Sequence, residues 1–160
     1  MSTPDQATRT VQHSPAPADS KAEQDIHALV HRFYDVVRED PLIGPVFTGN
    51  IADDAWPAHL ATMCNFWSSV LLKSKSYNGR PLPAHLSLGT ITDEQFARWL
   101  ALFRPVARRT LPPTQAARAI VHAERMADSF RMSMAFQRGE DITGMRPLPK
   151  EAPAWTPPSG

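Results

Sequence analysis

Trp56-Pro-Ala-His59-Leu-Ala-Thr-Met63-Cys-Asn-Phe66-Trp-Ser-Ser-Val70-Leu-Leu72 is the stretch whose reading decides the fold. His59, Met63, Phe66 and Val70 follow one another at steps of four, three and four. Side chains at that spacing stack along one stripe of a helix. Apart from His59 the stripe is apolar. Spacing alone describes a plain core helix with a histidine near its polar end. It equally describes one wall of a pocket. Asp53 or Asp54 can cap this helix, and Pro57 is tolerated in its first turn.

On the N-terminal side, Ser20-Lys-Ala-Glu23 reads as a capping box. Ile26, Leu29, Val30, Phe33, Val36 and Val37 then keep helical spacing, and Pro41 predicts an end near Asp40. Pro41 to Phe47 reads as a compact apolar turn. On the C-terminal side, Tyr77-Asn-Gly-Arg-Pro81 marks a turn, and Pro83 to Leu88 fits one short helical turn. Thr92-Asp-Glu-Gln95 is a second capping box, opening a helix with Phe96, Trp99, Leu100, Leu102 and Phe103 on its apolar sides. Pro105 is expected to kink it. A last helix runs from Pro113 to Arg138, stopped by Gly139. Its apolar positions include Ala116, Ile120, Ala123, Met126, Ala127, Phe130 and Met134. No alternating β pattern or internal repeat competes. The prediction is an all-α fold with four substantial helices.

Composition agrees. The 160 residues suit one domain, and 42% hydrophobic with 21% charged residues permits a real core. Eight of the sixteen prolines fall in the polar ends, which predicts a disordered tail over 1–20, a folded domain over 21–138 and a Pro-rich tail over 139–160. A net charge of +1 without a long basic run argues against nucleic acid as a partner. No apolar run approaches the ~20 residues that span a bilayer, so no membrane partner is expected. Met1 to Ser20 lacks the apolar stretch of a secretory signal, and a cytoplasmic location is expected. The single cysteine, Cys64, excludes an intrachain disulfide. It lies in an apolar helical pattern and reads as a buried, inert thiol.

The chemistry concentrates on two histidines. His85 sits in a Pro-bounded element whose other side carries Leu86 and Leu88. Histidines in Pro-rich turns are often exposed and idle. One held by flanking prolines can also point at a metal with little conformational freedom left to lose. Neutral imidazole is a good iron donor and the usual axial ligand of oxygen-binding haem. With His59 opposite, the pair reads as two walls of a pocket for a flat, apolar, metal-containing ligand. Tyr34 needs a hydroxyl partner if buried. That partner is either a backbone carbonyl or a diatomic ligand on iron. The Trp99 indole N–H is a donor only, and is either core packing or a second donor to that ligand. Phe47 can stack on a porphyrin. His27 and His31, four apart, lack a clear third metal ligand and read as a solvated face. No Cys/His spacing suits zinc, and no Gly-rich phosphate loop is present.

Ordered pieces extend these readings: Phe33-Tyr34-Asp-Val-Val-Arg38, Asp40-Pro-Leu-Ile-Gly-Pro-Val-Phe47, Trp56-Pro-Ala-His59, Asn65-Phe-Trp-Ser-Ser-Val-Leu-Leu72, Tyr77-Asn-Gly-Arg-Pro81, His85 and Arg98-Trp-Leu-Ala-Leu-Phe103. In this order, the chain from Asp25 to Phe130 resembles a group III truncated haemoglobin. The glycine pairs that mark the other truncated groups are absent. The resemblance implies a globin-like two-over-two helical sandwich enclosing haem b. It implies His85 as the proximal iron ligand and Tyr34, His59 and Trp99 as the distal pocket. Met63 and Phe66 would line the haem face of the distal helix, with Phe47 packed on the porphyrin. The function expected is binding of O2, NO, CO or peroxide, with NO-detoxifying or peroxidase-like redox chemistry rather than O2 transport. Turnover would draw on an external electron donor. A haem-based gas sensor and a haem-free helical interaction module are the alternatives. Arg80 and Arg98 are candidates, by charge, for haem propionates.

Overall fold

The computed structural model describes residues 17–72 and 91–148. The expected turn at Tyr77–Pro81, the short element at Pro83–Leu88 and His85 itself lie outside the described residues. So do 1–16 and 149–160. The described chain runs through α1 (Pro17–Glu39), α2 (Gly44–Thr48), a 3-10 turn (Asp53–Ala55), α3 (Trp56–Leu72), α4 (Asp93–Thr110) and α5 (Pro113–Gln137), with no strand among the described residues. The α1–α3 pair packs on the α4–α5 pair, through contacts of α1 with α4 and of α3 with α5. This is the two-over-two sandwich of four long helices.

The apolar stripes go where their spacing sends them. Ile26, Leu29, Val30, Phe33 and Val37 of α1 are buried against Leu100, Phe103 and Val106 of α4 in one continuous core. Burying each such side chain contributes about 1.5–3 kcal/mol before conformational entropy is counted. Small residues, Ala116, Ala119, Ala123 and Ala127, form the buried side of α5.

Helix ends differ from expectation in two places. First, α1 begins at Pro17, so Ser20 lies inside the helix and is not its cap. A proline fits a first turn because its missing N–H has no intrahelical partner there. Second, neither Asp53 nor Asp54 caps α3 through its side chain. Both fall in the 3-10 turn that leads into it, where their charge faces the positive end of the helix dipole. Helix α4 runs on through Pro105 to Thr110, with Leu111 as its C-cap. The lost hydrogen bond is offset there by burial of Leu102, Phe103, Val106 and Ala107 around the proline.

The remaining boundaries follow their chemistry. Thr92 and Gln95 form the reciprocal capping box, with bonds of 3.0 and 3.2 Å. Gly139 at φ +76° ends α5. Its N–H donates to the Phe136 carbonyl and that of Glu140 to the Ala135 carbonyl, the paired closure of a Schellman motif. After Glu39 the chain turns on Asp40, which is buried. One Asp40 carboxylate oxygen accepts from the Leu42 and Ile43 amides, and the other from Arg98 at 3.0 Å. At Gly44 a Cβ would lie 2.9 Å from the Arg38 carbonyl oxygen and 3.0 Å from that of Val37. Only glycine lets α2 start so close to the end of α1.

Beyond α5, residues 139–148 fold back on the domain. Buried Arg131 holds them, donating to Asp93 at both oxygens (2.9 Å), to Asp128 and to the Arg146 carbonyl. The Leu148 amide donates to Asp128, and its side chain packs on the core.

Candidate functional site

Helix α1 delivers Tyr34 to the interior on the same side as Phe33. The turn at Asp40 and Gly44 brings Phe47 of α2 beside it, and the first turn of α3 brings Trp56 and His59. The Tyr34 ring lies edge-on to His59 at 5.1 Å, to Phe47 at 5.8 Å and to Trp56 at 5.9 Å. Tyr34 is buried, and its hydroxyl makes no hydrogen bond to any described residue. Burial pushes its pKa well above the ordinary tyrosine value, so the phenol keeps its proton. Among the described residues no backbone carbonyl accepts from this hydroxyl.

His59 is half-buried, its ring edge-on to Trp56 at 5.5 Å. The Arg38 guanidinium lies 4.4 Å above the Trp56 ring. Trp56 is itself 3% exposed. Its buried indole N–H has no hydrogen-bond partner among the described residues. Met63 continues the α3 stripe, half-buried on the core. Phe66 is buried further along, touching Trp67 and His122 of α5.

Trp99 comes from α4. It stacks on Phe103 at 5.6 Å and meets the edge of Phe33 at 5.5 Å. An apolar cavity of about 40 Å³ opens between α2, α4 and α5, lined by Phe47, Phe96, Trp99, Phe130 and Ile43, with Gln95 the polar group in its wall. Phe47 thus belongs both to the Tyr34–His59 cluster and to the cavity. The volume holds a few water-sized molecules and not a macrocycle. The chemistry of the walls fits haem: aromatic and aliphatic faces, a protonated and uncommitted phenol, and a neighbouring imidazole.

Of the sequence-derived site residues, the structure brings Tyr34, Phe47 and His59 into one cluster, and Phe47 and Trp99 to one cavity. Phe66 sits towards α5, and His85 lies outside the described residues. Arg98 is ion-paired to Asp40, so its charge is engaged within the fold. Two residues of the site escaped the residue-by-residue reading, Trp56 and Asp40. Asp40 is buried at the hinge that positions Phe47. A local signal existed, since an aspartate before Pro41 with amides two and three residues on suits an Asx turn. Cys64 is half-buried with its thiol pKa raised by burial, in keeping with an inert thiol. His27 and His31 stack at 3.9 Å, and His31 is lowered by burial and by His27. Among the described residues no group of three or more His, Cys, Asp or Glu is arranged to hold a metal ion. No described helix is long and apolar enough to cross a membrane.

The fold is that of a truncated globin. The crystal structure of a group III truncated haemoglobin from Campylobacter jejuni superposes with a TM-score of 0.64 and 31% identity, over 78% of this chain and 94% of that one. The group 3 truncated hemoglobin ctb of Campylobacter jejuni is 41% identical over 83 residues. That alignment spans 51% of this chain and 65% of the relative's length. No family model matches the chain. On the breadth of the structural match and its identity, the chain belongs to the group III truncated haemoglobin family.

Proposed function

We propose that this chain is a haem b protein that binds O2, NO, CO or peroxide, with His85 the residue that would hold the iron. The observation that carries this reading is buried Tyr34, its phenol protonated and without a hydrogen bond to a described residue, edge-on to His59. When bound, haem supplies an iron atom with one coordination position open to a small ligand. Tyr34 would donate its O–H to a small ligand bound there, and its raised pKa keeps the proton on the phenol. A hydrogen bond to a charged acceptor is worth about 1.5–3 kcal/mol. Each ~1.4 kcal/mol is a factor of ten in affinity. Trp99 supplies a second, donor-only N–H from α4. Phe47, Met63 and Phe66 exclude water and offer apolar surface to the macrocycle. His59, with its ring braced by Trp56, donates to the ligand, swings outward or ligates iron. The family and the resemblance of the quoted pieces support His85 in the axial role.

Two strong donors favour retention and redox conversion over O2 delivery. NO oxidation to nitrate and peroxide reduction are the two chemistries this donor set suits. Either draws electrons from an external donor. Haem titration of the purified chain should give a Soret band at one haem per chain. The O2-saturated ferrous protein should convert added NO to nitrate stoichiometrically, and with a reductant catalytically. No Soret band would remove the reading; a Soret band without nitrate would leave the peroxide chemistry, assayed the same way.

A further inference from the structure

Away from the pocket, the outer face of α5 carries an apolar ridge, Ala117 and Val121, with Val121 44% exposed. Open clefts of about 370 and 560 Å³ flank it, one against Val70 and Leu71 of α3, the other against Arg108 of α4. Arg108, Arg118 and Arg125 edge these clefts, and none forms an ion pair among the described residues. The acid lining the second cleft, Glu124, is tied to Arg104 at 3.1 Å. In a chain of net charge +1 this gathers uncompensated positive charge on one face. His122 lines the first cleft. Its ring contacts Phe66 at 6.0 Å and Trp67 at 5.9 Å, and Trp67 stacks on Phe103 at 5.1 Å. The cleft is thus one aromatic layer from Phe66, assigned above to the haem face of α3.

We propose that this α5 face docks the electron donor, a redox protein with an acidic surface, whose electrons enter beside His122 and Phe66. The electron-transfer part rests on the haem reading above; the docking part does not. Complementary charge steers such a partner in, and the Val121 ridge gives the contact an apolar centre. No bond forms or breaks. One electron passes from the reduced partner to ferric haem, leaving the partner oxidised by one electron.

The test uses the full chain and a reduced flavodoxin, an acidic one-electron donor, as the probe. Affinity is measured by calorimetry at about 10 mM ionic strength, where screening is weak. Reduction of ferric haem is followed in parallel by stopped flow. The pair Arg118→Glu and Arg125→Glu should weaken binding about tenfold and slow reduction by a similar factor, while Lys21→Glu with Arg138→Glu, elsewhere on the surface, changes both by less than about twofold. The milder pair Arg118→Gln and Arg125→Gln should fall between, and about 1 M salt should erase the differences. Equal effects of the two glutamate pairs would reduce the result to net charge and overturn the site. So would unchanged binding in the Arg118 and Arg125 variants. Weakened binding with an unchanged reduction rate would overturn electron entry here. If the chain takes up no haem, the haem reading fails, yet calorimetry still decides the docking surface.

Discussion

Tyr34 and Gly44 illustrate how a single position constrains this molecule. Tyr34 is packed on four rings, so Tyr34→Phe keeps the ring contacts and removes only the O–H. The variant should keep its thermal stability within about 1 kcal/mol, because that hydroxyl has no described partner to lose. O2 dissociation from the haem-loaded ferrous protein should rise about tenfold or more, measured by stopped flow. An unchanged off-rate would remove Tyr34 as a donor. Gly44→Ala sets a methyl group against two backbone carbonyls that cannot yield as a flexible side chain would. It should cost about 1–3 kcal/mol, read as a lower urea midpoint at unchanged slope. Asp40 and Trp56 belong to this scale too. The Asp40 turn had a local signal, but its ion pair with Arg98 and the stacking of Arg38 on Trp56 join residues that no spacing rule connects.

Among the elements, α4 links fold to pocket. Its capping box stands at the start of the helix, and Gln95 serves both the cap and the cavity wall. Thr92→Ala should cost about 1 kcal/mol in denaturant unfolding. Asp93, the next residue, is held below the usual carboxylate range chiefly by its hydrogen bond from Arg131, with burial opposing. Its folded pKa lies below the unfolded one, so its stabilisation is full above the unfolded value near ~4 and is lost as pH falls through the lower folded value. Asp93→Asn should therefore be less stable than the parent at neutral pH. The gap between them should close in acid, which unfolding curves across pH 7 to 2 will check. A gap that persists in acid would show that the ion pair's charge is not what matters. The α4 cap was legible because both partners sit within four residues. The true start of α1 was not, since Ser20 to Glu23 satisfies the same pattern inside a helix.

For the whole molecule, the all-α class and the four long helices could be read from apolar periodicity, since each stripe faces one core. The pairing of those helices could not, because it depends on which stripes fit together. The aromatic cluster was legible only as candidates. Sequence named Tyr34, Phe47 and His59, and their convergence required the sharp turn at Asp40 and Gly44. The reverse course of residues 139–148 along α5 was also hidden, as it hangs on the Arg131 hub.

The proposed function turns on His85 as the axial base of haem iron. The direct measurement is the ferrous absorption and resonance Raman spectrum of haem-loaded protein, compared with His85→Gly before and after adding imidazole. The account predicts that the substitution abolishes the histidine–iron signature and that free imidazole restores it. A His85→Gly spectrum identical to the parent's, unmoved by imidazole, would contradict it.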